Sequence, residues 1–183
     1  IVRAVDDILK TEFGLKEGLA DTSKIKIKKK AVTQTKGKDA KIKEVETEVE
    51  VHKVQILDPA TGTGTFLAEV VRHIHKKFEG QQGIWSKYVT NDLIPRLNGF
   101  ELLMASYAMA HLKMDMLLTE TGYKPTDDQS LRGTKQSPEQ RIKIFLTNSL
   151  EEAHPDTQTL FSSWLSDEAD QANAIKRDAP VMV

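Results

Sequence analysis

The segment from Val54 to Phe78 constrains the fold of this chain more than any other part of it. A short apolar run, Val54–Asp58, ends in Asp-Pro and passes through a turn that contains Gly62 and Gly64. The residues after the turn place apolar side chains on one helical stripe and basic side chains on much of the other side. A buried strand that leads through glycines into an amphipathic helix is typical of a parallel α/β sheet.

The glycines of this turn indicate that it can hold a ligand. Without a Cβ, Gly62 and Gly64 allow backbone conformations and close approaches that other residues obstruct. The carboxyl end of a parallel strand is also where open α/β sheets bind ligands. The helix that follows offers free N–H groups, and Asp58 can accept hydrogen bonds from a cationic amino group or from ordered water. These properties suit an adenosyl cofactor.

Other interpretations of the same glycines fit less well. A phosphate-binding Walker loop requires Lys after its last glycine, where this chain has Thr65. A dinucleotide fingerprint requires a small residue where Leu67 stands and an acidic residue about 20 positions on, whereas the candidate Glu101 lies much farther away. A tight structural turn that binds nothing also has this Gly-x-Gly spacing, so that alternative stays open.

The remaining hydrophobic patterns predict an α/β fold in which strands and helices alternate. A helix is predicted within residues 1–20, with an apolar stripe that includes Ile8 and Phe13, and a hairpin is predicted over residues 24–51. The predicted strands are Val54–Asp58, Leu97–Leu102, Ile142–Leu146 and one that begins at Pro180. The other predicted helices are Phe66–Phe78, Met104–Leu118 and Leu160–Lys176, and Thr126–Gln140 is predicted to be a loop. This order predicts an incomplete doubly wound parallel sheet of the Rossmann-like kind in residues 52–183. Residues 24–51 then form a β-hairpin insertion.

The predicted hairpin is rich in lysine, with nine of them between Lys24 and Lys43. Lysines contact DNA phosphates in nonspecific binding. However, exposed edge strands also often contain lysine, which discourages aggregation. The glutamates of the return strand Glu44–Glu50 offset much of the positive charge of these lysines. A solvated hairpin is therefore favoured over DNA contact. Trp85 and Tyr88 are predicted to lie in a loop, where an aromatic ring can stack on a base or pack against the protein.

Composition excludes several classes of protein. The 183 residues are 39% hydrophobic, enough for one domain with a core, and the formal net charge of -1 gives no sign of a nucleic-acid binder. The lack of cysteine excludes disulfides, thiolate zinc sites and cysteine nucleophiles, and fits the cytoplasm. His73 and His75 point in different directions on a helix, so we predict no metal site. No apolar run approaches the roughly 20 residues that span a bilayer, and we expect no membrane contact.

Residues Asp58–Leu67 resemble the first cofactor motif of amino-methylating DNA methyltransferases, usually written Asp-Pro-Ala-Cys-Gly-Ser-Gly-x-Phe-Leu. Thr61 and Thr63 stand where Cys and Ser are usual. Ile1–Leu9 resembles the tail of the family's N-terminal cofactor motif. This order of the two motifs is similar to the gamma arrangement of the family.

Two later segments extend the resemblance. Gly99–Glu101 with Ala105–Leu112 is similar to the second motif of large single-chain restriction-modification enzymes of type I or type ISP, and Ile144–Leu150 resembles the third motif. The resemblance implies a Rossmann-like S-adenosylmethionine-dependent methyltransferase fold. It also implies methyl transfer from S-adenosyl-L-methionine to the N6 of adenine in DNA.

The resemblance also assigns roles to individual residues. In the family, the acidic residue of the second motif holds the ribose hydroxyls, which implies that role for Glu101. The Asp or Asn of the third motif accompanies the adenine ring of the cofactor, which implies that role for Asn148. The implied cofactor-binding residues are Asp58, Pro59, Ala60, Thr61, Gly62, Thr63, Gly64, Phe66, Glu101 and Asn148.

The next element of the family is a strand that leads into Asn-Pro-Pro-Tyr, the loop that grips the target adenine. Residues 180–183 resemble the start of that strand, so we expect residues 1–183 to be a partial methyltransferase domain that is inactive alone and has no catalytic residue. The resemblance implies DNA as the partner of the complete enzyme, with nuclease or helicase regions in the same polypeptide. A methyltransferase acting on RNA or on protein glutamine, and a noncatalytic nucleotide-binding module, stay open as alternatives.

Overall fold

The fold is given by a computed structural model that describes residues 1–34, 42–124, 142–150, 168–176 and 181–183. Its elements are helix α1 (Val2–Thr11), strands β1 (Lys24–Gln34), β2 (Ile42–His52) and β3 (Val54–Asp58), helices α2 (Thr65–His75) and α3 (Gln82–Tyr88), strand β4 (Leu97–Glu101), helix α4 (Met104–Glu120), and strands β5 (Lys143–Leu146) and β6 (Val181–Met182). Short 3-10 turns cover Gly18–Ala20, Lys76–Phe78 and Ile94–Arg96, and a π turn covers Val89–Leu93. Residues 168–176 are also helical.

A four-stranded parallel sheet in the order β5-β4-β3-β6 forms the centre of the described structure. The chain steps outward from β3 to β4 and β5, and then returns to the opposite side of β3 to form β6. Such a reversal of strand order defines a doubly wound sheet. The parallel α/β sheet predicted from the alternation of patterns is therefore confirmed, and its strand order is compatible with a Rossmann-like fold.

Hydrophobic clusters cover both faces of the sheet. The larger cluster joins α1, α2, α3 and α4 to one face, and Ile144 of β5 belongs to it. The smaller cluster lies on the other face, where Phe100 and Phe145 pack against Ala172 of the helical residues 168–176. Successive side chains of a strand point to opposite faces of the sheet, so Ile144 belongs to the larger cluster and the adjacent Phe145 to the smaller one. Both faces of the sheet are thus covered, as a parallel sheet requires.

The hairpin forms a sheet of its own, with β1 and β2 antiparallel from Lys24 opposite His52 to Gln34 opposite Ile42. The hairpin predicted from the period-two pattern is therefore confirmed; its turn lies outside the described residues. Lys26 faces Glu50, and Lys28 faces Glu48. Opposite charges in such cross-strand pairs attract each other. This arrangement supports a solvated hairpin, and contact with DNA stays a prediction.

The prediction that Trp85 and Tyr88 lie in a loop is wrong. Both belong to α3 and are buried, Trp85 completely. Trp85 donates a hydrogen bond to the hydroxyl of Thr121 at 3.1 Å, and Tyr88 donates one to the carbonyl of Ala20 at 3.2 Å. Because both rings are buried and their polar groups form hydrogen bonds within the protein, they stabilise the core and are not available to stack on a base.

The predicted stripe of the N-terminal helix is wrong in part. Val2 and Leu9 are buried, but Ile8 is 50% exposed and Phe13 46% exposed, and Phe13 lies beyond the end of α1. The buried face includes the carboxylate of Asp6 instead. Helical spacing could not reveal this, because two of the partners of Asp6, Leu19 and His73, come from other elements.

Several predictions fall outside the described residues. They are the loop over Thr126–Gln140, the first part of the helix predicted from Leu160, and the start of the last strand at Pro180. Among the described helices, none combines the length and the apolar character needed to cross a bilayer.

Candidate functional site

A glycine turn joins β3 to α2 at the carboxyl edge of the sheet. Gly62 and Gly64 have φ angles of 54° and 79°, in the left-handed region that favours glycine. The Gly64 N–H donates to the carbonyl of Thr61 at 2.8 Å, and the Thr61 N–H donates to the carbonyl of Phe100 at 2.9 Å. The turn is therefore closed on itself and tied to the end of β4.

Glu101 is the last residue of β4, and its carboxylate reaches the turn. One oxygen, Oε2, accepts the Gly62 N–H at 2.6 Å, and Oε1 accepts the Leu103 N–H at 2.8 Å. Each oxygen keeps a further lone pair for another donor. A Cβ placed on Gly62 would meet no atom within 4 Å, so the turn faces open space at this point. The structure therefore places the Glu101 carboxylate directly against the glycine turn.

Gly99 is the residue that lets β4 approach the turn. A Cβ at this position would lie 2.5 Å from the Thr61 hydroxyl oxygen and 3.0 Å from a methyl carbon of Leu67. Any other residue would push the turn away from the strand. Gly99 belongs to the segment that resembles the second motif, but its packing role leaves no pattern in the sequence, because the atoms it must clear are distant in the chain.

Asp58 ends β3 and carries an unsatisfied acceptor. Its Oδ1 accepts the Ala60 N–H at 3.2 Å, while Oδ2 is buried and has no hydrogen-bond partner among the described residues. Burial raises the pKa of this carboxyl above its ordinary value, the Ala60 hydrogen bond opposes that shift, and the negative charge of Glu101 adds to it. A buried acceptor left without a donor costs free energy, so a cation or an N–H donor at this point would be stabilised.

An apolar pocket of about 260 Å³ lies against Asp58. Its walls come from the start of α1, the turn at Leu19, the end of β3, the first two turns of α2 and Val183. Phe66 lines it and is 48% exposed, so this ring borders the pocket and contributes little to the core. The pocket lies between β3 and β6, where the strand order reverses and where doubly wound sheets bind ligands.

The other residues predicted in the glycine turn differ in exposure and in hydrogen bonding. Pro59, Ala60 and Thr63 are exposed on the turn. The side chain of Thr61 is buried and its hydroxyl donates to the carbonyl of Asp58 at 3.0 Å, which gives it a role in holding the turn.

Asn148 follows β5, and its side-chain oxygen accepts the Leu150 N–H at 3.0 Å. This is ordinary turn chemistry. The Thr147 N–H bonds the Glu101 carbonyl at 2.9 Å, which places the end of β5 beside that of β4. A contact between Asn148 and a cofactor stays a prediction.

The described residues contain no group of three or more His, Cys, Asp or Glu that could hold a metal ion. What they bring together at one edge of the sheet is a glycine turn, a carboxylate bonded to it, a second carboxylate with a free oxygen, and an apolar pocket. Such a set can bind a ligand that carries hydroxyl groups, a cationic group and an apolar chain.

Comparison with solved structures finds the same fold in much longer chains. The chain aligns over 99% of its length with a nuclease-deletion mutant of the type ISP restriction-modification enzyme LlaGI in complex with a DNA substrate mimic, at 21% identity and a TM-score of 0.58. It aligns over 99% with the ATP-dependent type ISP restriction-modification enzyme LlaBIII bound to DNA, at 22% identity and a TM-score of 0.57. It aligns over 98% with DrdV in a complex with DNA, at 21% identity and a TM-score of 0.51.

The alignments cover 11%, 9% and 12% of those three chains. No protein-family model and no curated protein matches the sequence. At these identities the comparison establishes a shared fold, and the first two of these structural neighbours are restriction-modification enzymes.

Proposed function

We propose that this chain is the cofactor-binding part of an S-adenosylmethionine-dependent DNA adenine-N6 methyltransferase within a restriction-modification enzyme. The observation that carries the proposal is the hydrogen bond from the Gly62 N–H to the Glu101 carboxylate. It sets a carboxylate beside a glycine turn at the carboxyl edge of a parallel sheet, the edge at which such sheets bind nucleoside ligands.

The residues present fit S-adenosyl-L-methionine. The free lone pairs of Glu101 can accept the two ribose hydroxyls, and Gly62 opens to the space that a nucleoside would fill. The buried oxygen of Asp58 can accept the ammonium group of the methionine part, and the apolar pocket beside it can take the carbon chain. Asn148 is our candidate for the adenine ring. When bound, the cofactor would supply a methyl group on a cationic sulfur.

The contribution of this chain to the reaction is binding and orientation. Asp58 and Glu101 fix the two ends of the ligand, and Phe66 with the apolar walls excludes water from its middle. We assign no catalytic residue to the chain. In the complete enzyme we expect a target adenine flipped out of the DNA duplex to be presented to the methyl group, because a stacked base is out of reach.

The DNA complexes of the structural neighbours support DNA as the partner of the complete protein. The two type ISP enzymes are about ten times as long as the matched region, which supports further regions such as a nuclease or helicase in the same polypeptide. Restriction-modification enzymes act on DNA inside the cell, so we also propose a cytoplasmic location.

Calorimetry on the 183-residue chain tests the ligand. We expect S-adenosylhomocysteine to bind, and Glu101→Gln to weaken binding about tenfold or more, because charged hydrogen bonds to the ribose are lost. Glu120→Gln is the matched control: Glu120 is exposed at the end of α4, and its replacement should leave affinity unchanged. Binding of NAD or ATP without S-adenosylhomocysteine would indicate a nucleotide-binding module instead.

Transfer of a labelled methyl group by the complete protein tests the substrate. Labelling of an adenine-containing DNA duplex, with none of RNA or of protein glutamine, is the expected result. Labelling of RNA or protein alone would replace DNA methylation by one of those activities.

A further inference from the structure

Asp6 of α1 is a buried carboxylate that none of the proposed ligand contacts uses. It is 1% exposed. Its Oδ1 accepts the Leu19 N–H at 2.7 Å, and its Oδ2 pairs with Lys10 Nζ at 2.5 Å and with His73 Nε2 at 3.1 Å. The partners of this one side chain therefore lie on α1 itself, on the turn Gly18–Ala20 and on α2.

The same three elements form walls of the apolar pocket. Val2 and Val5, from the same helix as Asp6, line it. Leu19, whose N–H Asp6 accepts, lines it as well. On α2, Leu67 and Val70 line it in the turns before His73. Apolar contacts have little directional preference. The hydrogen bond from the Leu19 N–H to Asp6 is directional, and the carboxylate also lies 3.1 Å from His73 Nε2 on α2, so Asp6 ties the three walls to one another.

Gly18 shows how closely the turn is fitted to Asp6. Its φ is +55°, and a Cβ there would overlap Oδ1 and Cγ of Asp6. The turn can approach the carboxylate only without a side chain. A substitution at Gly18 would therefore displace Asp6 while leaving the lining side chains of the pocket unchanged.

We infer that Asp6 is a positioning residue for the pocket that receives the amino-acid end of the cofactor. Asp6 does not touch the ligand; it sets the spacing of the α1, Leu19 and α2 walls against which the methionine chain packs. The inference rests on the proposed function for the identity of the ligand. For the spacing of the walls, it rests on the contacts of Asp6 alone.

Two ligands that differ only in the amino-acid end test the inference. In the 183-residue chain, Asp6→Asn should weaken binding of S-adenosylhomocysteine about tenfold, because the walls around its amino-acid end lose their spacing, while adenosine, which lacks that end, stays within about twofold. Gly18→Ala should give the same pattern. Equal losses for both ligands, or no loss for either, would overturn the inference.

A matched control is Asp92→Asn, which weakens another partly buried carboxylate pair, the one with His52 at 3.0 Å. Neither residue lines the pocket. This variant should leave the affinity ratio of the two ligands unchanged. A change in the ratio as large as that of Asp6→Asn would show that any local destabilisation alters the pocket.

Amide hydrogen exchange tests the walls without a ligand. Asp6→Asn should speed exchange at Leu19 and along α1 about tenfold or more, with α4 and β4 unchanged. Uniform acceleration through α4 and β4 would make Asp6 a general stability residue and overturn the inference. If wild-type protein binds neither adenosine nor S-adenosylhomocysteine, the proposed function fails, and the exchange pattern still decides whether Asp6 holds the pocket walls.

Discussion

Asp58 lines the pocket and Asp6 is buried behind its walls, and the surroundings of these two carboxylates differ. Asp6 has an N–H donor, an ammonium and an imidazole within hydrogen-bond distance. Asp58 has one weak N–H donor, and its second oxygen is buried without a partner. Burial alone would raise the pKa of Asp6, but Lys10, the Leu19 N–H and His73 lower it to about 2. Burial raises the pKa of Asp58 instead.

Asp6 is therefore a carboxylate that stabilises the fold, whereas Asp58 is a carboxylate that is available to a ligand. The native structure favours the charged form of Asp6 and disfavours the charged form of Asp58. An unsatisfied buried acceptor at a pocket wall is a common property of binding sites, because the stabilising partner arrives with the ligand. The two residues should therefore respond in opposite ways to the same substitution and to the same change in pH.

The largest difference is expected in stability at neutral pH. Asp6→Asn should lower the free energy of unfolding by about 2 kcal/mol, as the lowering of the pKa from 3.8 to about 2 implies. Asp58→Asn should leave it unchanged or raise it, because the buried charge has no cation beside it. Urea unfolding followed by circular dichroism measures both. Equal losses would mean that Asp58 also stabilises the fold.

The pH dependence should have opposite signs at the two positions. The pKa of Asp6 is lower in the folded protein, so its stabilisation is complete above the ordinary Asp range near pH 3.8 and is lost as the pH falls toward 2. The pKa of Asp58 is raised, so its contribution is complete at low pH and is lost as the pH rises through that raised value. Unfolding free energies of wild type, Asp6→Asn and Asp58→Asn between pH 2 and pH 7 test the signs. We expect the acid-side loss to be smaller in Asp6→Asn than in wild type.

A substitution at Gly99 tests whether packing of the turn sets the position of Asp58. Gly99→Ala should cost about 1–2 kcal/mol of stability, because its Cβ would overlap the Thr61 hydroxyl. The turn should shift and S-adenosylhomocysteine should bind more weakly. Gly83→Ala is the control, since a Cβ there meets no atom within 4 Å. Unchanged binding in Gly99→Ala would mean that the turn adapts without moving the site.

The smallest expected effect is on the ligand at Asp58. Asp58→Asn should weaken S-adenosylhomocysteine about tenfold, since a neutral amide replaces the charged acceptor of the ammonium group. Adenosine, without that group, should bind as before. Calorimetry with both ligands measures the difference. An equal loss for adenosine would place Asp58 against the nucleoside and not against the amino-acid end.

The sequence alone determined the elements and the centre of the candidate site. The apolar run Val54–Asp58, the two glycines and the stripe that follows predict a strand, a turn and a helix, because these patterns follow from local sterics and from a regular period. The position of Glu101 at the end of the next strand follows from the same alternation. In the structure Glu101 is the last residue of β4.

Only the tertiary structure decided which polar groups are buried and what they contact. Asp6, with a partner 67 positions away at His73, and Gly99, fitted against Thr61, carry no local signal. The sequence predicted that Trp85 lies in a loop, but in the structure it belongs to α3 and is buried in the core. Burial of a polar or an aromatic side chain depends on partners that are distant in the chain. Local periodicity describes a face of an element, and only packing decides what covers that face.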